Sequence, residues 1–219
     1  MVRGFSFSLT CHEAAHALVA KWGGDLTAYQ AGQVTLNPLP HIQRELWGTV
    51  VVPLLSFLLG GWMIGWGSAP YDPYWEERYP KRAAWMALAG PAANVILMML
   101  SALAMRIGLA SGVFQPGRLA FDLIIEGEDM AGGVATFLSI LFSLNLLLAL
   151  FNSIPVPPLD GRTAIGLILP ADLYDKYREF TRSPMVQMFG VLVAWILIDQ
   201  MFPKVFGRAV LLFVYSFTR

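Results

Sequence analysis

His12-Glu13-Ala14-Ala15-His16 places two of the chain's three histidines one helical turn apart, within an apolar segment over residues 5–22. On a helix, side chains at i and i+4 share a face, so His12 and His16 can bind one metal ion together. Glu13 is turned by about 100° from His12, where it can take a proton from a metal-bound water. Two packed core histidines with a capping glutamate would instead leave polar groups in apolar surroundings at a cost in free energy. The spacing therefore predicts a zinc site with a general base.

The composition is that of a membrane protein. Of 219 residues, 56% are hydrophobic and 14% are charged, and the mean hydropathy is +0.57. An ordinary soluble domain has about 25% charged residues. The formal net charge is zero, so we expect no nucleic-acid partner. The single cysteine, Cys11, excludes an intrachain disulfide and a Cys-rich zinc site, and we interpret it as a packing residue.

The hydrophobic pattern predicts an all-α polytopic membrane protein forming one domain over residues 1–219, with no appended soluble module. We expect about four spanning helices and a re-entrant segment, and a core over about residues 5–169. The apolar runs predicted to be helices cover residues 5–22, 83–105, 134–154 and 185–202. We expect short extended pieces near the active site, first of all over residues 24–43. After Pro203, residues 204–219 have the pattern of an amphipathic helix on the membrane surface, which would complete a C-terminal part over residues 185–219.

Charge bias orients these segments. The acid-rich loop over residues 107–133 is expected outside, and residues 67–82 and 156–184 are expected on the cytoplasmic side. Lys21, at the end of the motif helix, is also expected on the cytoplasmic side. Residues 46–66 would then have to enter the membrane and return to the same side, and Pro53 and Gly60-Gly61 interrupt this apolar run where it could turn. The alternative is a full span with a different orientation.

Asp160 is a candidate for the third ligand that a catalytic HExxH site needs. It follows prolines at 155, 157 and 158, which break the preceding helix and create a polar pocket. A carboxylate at such a break is costly without a cation. It could equally be the N-cap of a short helix over residues 161–168, and the residues alone leave both interpretations open.

Four motifs together resemble the site-2 protease family of intramembrane zinc metalloproteases (peptidase family M50), in its bacterial branch. The resemblance runs in order from about Leu9 to Gly161, and the motifs are HEAAH, Leu36-Asn37-Pro38, Ala89-Gly90-Pro91-Ala92-Ala93-Asn94 and Asn152–Gly161. It implies one zinc ion near the cytoplasmic face, held by His12, His16 and Asp160, with Glu13 as general base. It also implies that Asn94 stands near the zinc and contacts the substrate or the oxyanion.

Other polar residues are candidates for supporting roles around the site. Asn94 could equally form an ordinary interhelical hydrogen bond, which is also our interpretation of Asn145. Asn152 is expected to hold the broken backbone around Pro155. His41 matches a histidine frequent in the bacterial branch of the family, although Gln43 stands where that branch has an acid.

Two other residue patterns bear on the substrate region. Gly90-Pro91 predicts a locally broken start of its helix. Gly65-Trp66-Gly67-Ser68-Ala69-Pro70 departs from the Lys, Pro and Asn that follow Gly-Trp in the bacterial branch, which puts in doubt how this loop pairs with a substrate.

The resemblance implies a protease whose substrate is a single-span membrane protein in the lipid bilayer. We expect the extended segments 24–43 and 61–72 to pair with the unwound substrate, and the protein to lie in a bacterial cytoplasmic membrane with its active site toward the cytoplasm. A catalytically silent client-binding protein and a transporter are the alternatives. The intact Glu13 argues against the first, and the lack of a repeated half argues against the second.

Overall fold

The computed structural model describes residues 2–60 and 65–216, and the regular structure in this part of the chain is almost entirely helical. Two antiparallel strands form a small hairpin, with Gln115 opposite Glu126. The elements are α1 (Val2–Gly23), α2 (Thr27–Gln30), α3 (Pro38–Arg44), α4 (Val52–Gly60), α5 (Pro73–Arg78), α6 (Pro80–Ala110), β1 (Gln115–Pro116), β2 (Ile125–Glu126), α7 (Asp129–Ser153), α8 (Gly161–Ala164), α9 (Ala171–Phe180) and α10 (Pro184–Val210). Short π-helical turns precede α4 (Trp47–Val51) and follow α10 (Leu211–Tyr215), and a 3-10 turn (Ile165–Leu167) follows α8.

The centre of the fold is formed by α1, α6 and α7, which pack against one another. The largest core cluster lies between α6 and α7 and includes Met105 and Phe142, both without exposed surface. A smaller cluster, with Phe5 and Leu9, joins α1 to α7. This packing holds the motif helix between two other helices.

Among the described residues, three helices are long and apolar enough to cross a membrane: α6, α7, and α10 with its π-helical extension to Tyr215. The predicted all-α polytopic membrane fold is therefore confirmed. The helix predicted over residues 5–22 is present as α1, but it is not among these three. A fourth span is reached only if α3 and the helix over Trp47–Gly60 are counted as one broken span.

The segment predicted to re-enter the membrane bends in a different place. α3 and the helix over Trp47–Gly60 meet at 112°, so the break precedes residue 47. Pro53 does not interrupt the helix, because the chain is helical on both sides of it, from Trp47 to Gly60. Gly60 ends α4, and Gly61 lies outside the described residues. The bend fits a broken span and a re-entrant loop equally, so the re-entrant path stays a prediction.

The expectation of extended pieces over residues 24–43 is wrong, since α2 and α3 occupy much of this segment. The Asn37-Pro38 pair is a helix start. The Asn37 side chain accepts a hydrogen bond from the Leu39 amide at 3.1 Å, and Pro38 takes the first helical position. Residues 65–72 lie outside any helix or strand.

Two prolines lie inside helices where breaks were expected. Pro91 is within α6, so Gly90-Pro91 does not begin that helix. Pro203 is within α10, so the separate amphipathic helix over residues 204–219 is also wrong, and its last three residues lie outside the described part. Phe206 and Val210 are buried against α6 and α7, and this packing outweighs the hydrogen bond lost at Pro203.

Candidate metal centre

The motif residues lie in the middle of α1, which runs without interruption from Val2 to Gly23. His12, Glu13 and His16 are all buried, with 4%, 4% and 6% of their surfaces exposed. The helix brings the two imidazoles together, with their Nε2 atoms 3.0 Å apart. The i, i+4 spacing thus produces the pair that the sequence predicts.

Asp160 completes a group of three possible metal ligands. Its Oδ2 atom lies 3.1 Å from His12 Nε2 and 3.3 Å from His16 Nε2. Zinc bonds of about 2.0–2.1 Å in tetrahedral geometry place neighbouring ligand atoms about 3.3–3.4 Å apart. The three atoms are therefore spaced for one zinc ion.

The proline-rich segment after α7 positions Asp160. Asp160 occupies the N-cap position of α8, but its side chain makes no capping hydrogen bond to that helix, which is described in full. Gly161 permits the tight return, because a Cβ atom there would lie 2.3 Å from the Ile154 carbonyl oxygen. Asp160 is therefore the N-cap residue by position only, and its carboxylate faces the histidines.

A backbone carbonyl on α6 orients His16. The His16 Nδ1 atom lies 2.7 Å from the Met86 carbonyl oxygen. A carbonyl only accepts hydrogen bonds, so Nδ1 must carry the hydrogen. In the neutral ring, Nε2 then presents its lone pair, which is the form that binds a metal.

A side-chain amide orients His12 in the same way. His12 Nδ1 lies 2.6 Å from Asn94 Oδ1, and Asn94 Nδ2 donates to Asn145 Oδ1 at 2.8 Å. Nδ1 of His12 therefore donates, and its Nε2 also presents a lone pair. Asn94 has no exposed surface, and its contact with a substrate or an oxyanion stays a prediction.

Two imidazole lone pairs and a carboxylate oxygen thus converge on one point. Although Asp160 Oδ2 is within ion-pair distance of both rings, it accepts no hydrogen bond from any described residue. Three buried acceptors without a donor repel one another unless a cation lies between them. The donor set of two histidines and one aspartate fits zinc, with one position left for water.

Gly90 makes room for the metal centre on α6. A Cβ atom at this position would lie 2.3 Å from His16 Nε2 and 2.6 Å from His12 Nε2. α6 can approach both rings only because residue 90 lacks a side chain.

Glu13 lies beside residues 65–72. A Cβ atom on Gly67 would lie 2.7 Å from Glu13 Oε1, so the backbone at Gly67 rests against the carboxylate. Glu13 Oε2 is buried and has no hydrogen-bond partner among the described residues. An unpartnered carboxylate oxygen next to a zinc site is available to accept a proton from water.

The two remaining sequence candidates do not belong to the group of three possible ligands. His41 is buried in α3, where its Nε2 donates to the Thr35 carbonyl at 3.0 Å. Its Nδ1 has no partner in the described part of the chain. Asn152 is half-buried, and its hold on the backbone near Pro155 stays a prediction.

Sequence reasoning missed two features of the site. The Met86 carbonyl has no signature in a sequence, since any residue could supply it. Gly67 could have been suspected only from its place in the Gly-Trp-Gly run.

A ligand group of two histidines and one aspartate, with a glutamate beside it, defines a zinc hydrolase site, here in a fold with helices able to span a membrane. The chain matches the model of peptidase family M50 over residues 1–197, and it belongs to that family. It is a zinc metalloendopeptidase of the site-2 protease type, an integral membrane protein, as the motifs predicted.

Similar proteins bear names that agree with this assignment. The chain is 31% identical to the "Putative zinc metalloprotease YwhC" of Bacillus subtilis over 173 residues, which are 78% of this chain and 70% of that protein. It is 32% identical to the "Putative zinc metalloprotease Rip2" of Mycolicibacterium smegmatis over 165 residues, 75% of this chain and 55% of that protein. The chain thus spans little more than half of Rip2. No solved structure matches it.

Proposed function

We propose that the protein hydrolyses a peptide bond within or near the transmembrane segment of a membrane-protein substrate. The observation that carries the proposal is the burial of the ligand group inside the helical membrane domain. His12 and His16 lie on α1, which packs against α6 and α7, and both of these helices are long and apolar enough to cross a membrane. A site placed there meets its substrate where the substrate is also in the membrane.

The residues divide the chemistry between binding and proton transfer. His12, His16 and Asp160 would hold one zinc ion per chain, which lowers the pKa of a bound water and polarises the scissile carbonyl. Glu13 takes the proton of the attacking water and delivers it to the leaving amine. Burial of Glu13 strengthens its electrostatic interactions, because the local dielectric is low.

Residues 65–70 are the part of the chain best placed to receive an unwound substrate. A peptide bond inside a substrate helix is shielded, so the substrate must be locally extended before it is cut. This segment has no regular structure of its own, and the Trp66 amide bonds to the Gly48 carbonyl at 3.0 Å. Because Gly67 rests against Glu13, a strand paired here would lie beside the general base.

The setting we propose is a bacterial cytoplasmic membrane, with the active site toward the cytoplasm and a single-span membrane protein as substrate. The basic residues of the segments 67–82 and 156–184 support this orientation.

Cleavage-site mapping tests the function. The chain is coexpressed with candidate single-span proteins tagged at both ends, and the fragment ends are identified by mass spectrometry. We expect cuts within or beside the apolar segment with the native chain, and none with Glu13→Gln. Glu126→Gln, the same change at an exposed residue of β2, is the control and should cut normally. Cuts confined to distant soluble loops, or fragments that persist with Glu13→Gln, would contradict the proposal.

A further inference from the structure

We propose that Asn145 is a positioning residue for the metal centre, which fixes the tautomer of His12 through the Asn94 amide. The hydrogen bonds of Asn145 go to Asn94, Ser8 and Leu141, and not to the coordinating atoms of the metal ligands. It acts on zinc binding, so the inference stands independently of which substrate the protein cuts.

The hydrogen bonds of Asn145 fix which atom of its side-chain amide faces Asn94. Asn145 Nδ2 donates to the Leu141 carbonyl and to Ser8 Oγ, both at 2.8 Å. Because a carbonyl cannot donate, this end of the Asn145 side chain must be its NH₂ group. Its Oδ1 must therefore face Asn94.

The orientation of Asn145 in turn fixes the Asn94 amide and the tautomer of His12. Asn145 Oδ1 can only accept, so Asn94 presents Nδ2 to it and Oδ1 to His12. His12 must then hold its hydrogen on Nδ1. Reversal of the Asn94 amide would turn an N–H donor toward Nδ1 and move the ring hydrogen to Nε2, where it blocks metal binding.

Burial makes this arrangement hard to replace. Ser8, Asn94 and Asn145 have no exposed surface, so bulk water does not reach the amides. Asn145 has its oxygen and both N–H groups paired, which leaves it no alternative orientation without lost hydrogen bonds. Ser8 also lies one turn before His12, so the network joins α7 to the motif helix itself.

Zinc dissociation constants measured by chelator competition on the purified full chain test the inference. Asn145→Leu removes the acceptor that orients Asn94, and we expect zinc affinity to fall about tenfold, the low end of the 10–100-fold effect of groups that orient ligands. Asn145→Asp keeps an acceptor facing Asn94, and its affinity should stay within about threefold of the native value. Ser143→Ala, a buried polar residue of α7 outside the network, is the control for general disturbance of the helix.

A double substitution separates positioning from packing. Asn94→Asp accepts from His12 Nδ1 whichever way its carboxylate turns, so His12 no longer depends on residue 145. In the Asn94→Asp background, Asn145→Leu should therefore leave zinc affinity almost unchanged. The inference is overturned if Asn145→Leu binds zinc normally, if Asn145→Asp loses as much affinity as Asn145→Leu, or if the loss persists in the Asn94→Asp background. Failure of proteolysis with normal zinc binding in the native chain would count against the proposed function alone.

Discussion

Replacing Gly90 by alanine should weaken zinc binding without unfolding the protein. Gly90 lies inside α6, where alanine is favoured over glycine by about 1 kcal/mol. Helix propensity alone therefore predicts a more stable variant. The new Cβ would, however, lie 2.3 Å from His16 Nε2 and 2.6 Å from His12 Nε2, so the steric effect opposes propensity.

The geometry gives the magnitude. Nonbonded heavy atoms prefer about 3.5–4.0 Å, so the rings or α6 must move by about 1 Å. Zinc–ligand distances tolerate only about 0.2 Å. The rings have little freedom to yield, because Asn94 and the Met86 carbonyl hold both Nδ1 atoms. Overpacking costs about 1–3 kcal/mol. If the whole cost is taken from the free energy of zinc binding, zinc affinity drops about 5- to 150-fold.

Zinc affinity and thermal unfolding of Gly90→Ala are measured beside Gly207→Ala. Gly207 also lies inside a helix, but a Cβ there meets no atom within 4 Å among the described residues. The control should bind zinc normally and be as stable as the native chain or slightly more so. Native zinc affinity in Gly90→Ala would refute the close approach of α6 to the histidines.

Three further results are expected. Glu13→Gln should keep zinc and lower proteolysis by about 10²–10⁴-fold, whereas Asp160→Ala should lose both, as metal analysis beside a cleavage assay will show. Gly67→Ala should slow cleavage at unchanged zinc content, since its Cβ would displace the Glu13 carboxylate. A normal cleavage rate would contradict the contact between the Gly67 backbone and Glu13. Cysteines at Ser111 and Ser183, in a chain lacking its native cysteine, should label from opposite faces of the membrane, and labelling from one face contradicts the proposed orientation.

Local periodicity predicted the parts of the fold that depend on local sequence. The segments 5–22 and 83–105 lie inside α1 and α6, the segment 134–154 ends one residue beyond α7, and the histidine spacing alone brought two ligand atoms together. Such features follow from the helical repeat, which needs no knowledge of neighbouring helices.

The mistaken predictions concern residues whose conformation depends on distant packing. Pro91 was predicted to lie at the start of a helix and Pro203 at the end of one. Each instead lies inside a helix that packs against other helices. The contact between Asn94 and Asn145 joins residues 51 positions apart, and its direction depends on a carbonyl that any residue could provide. Sequence patterns predicted polar residues in the membrane domain, whereas only geometry shows which atom of each amide faces the metal centre.

The ligands come from opposite ends of the core, and this imposes an order on biosynthesis. His12 and His16 are in α1, which is synthesised before α6 and α7, whereas Asp160 follows α7. Until α8 has been made and folded back, the nascent chain offers only a two-histidine site with weak hold on a metal. Stable zinc binding therefore has to follow membrane assembly of α6 and α7. A truncated chain that stops before Asp160 would lack the third ligand and would not bind zinc stably.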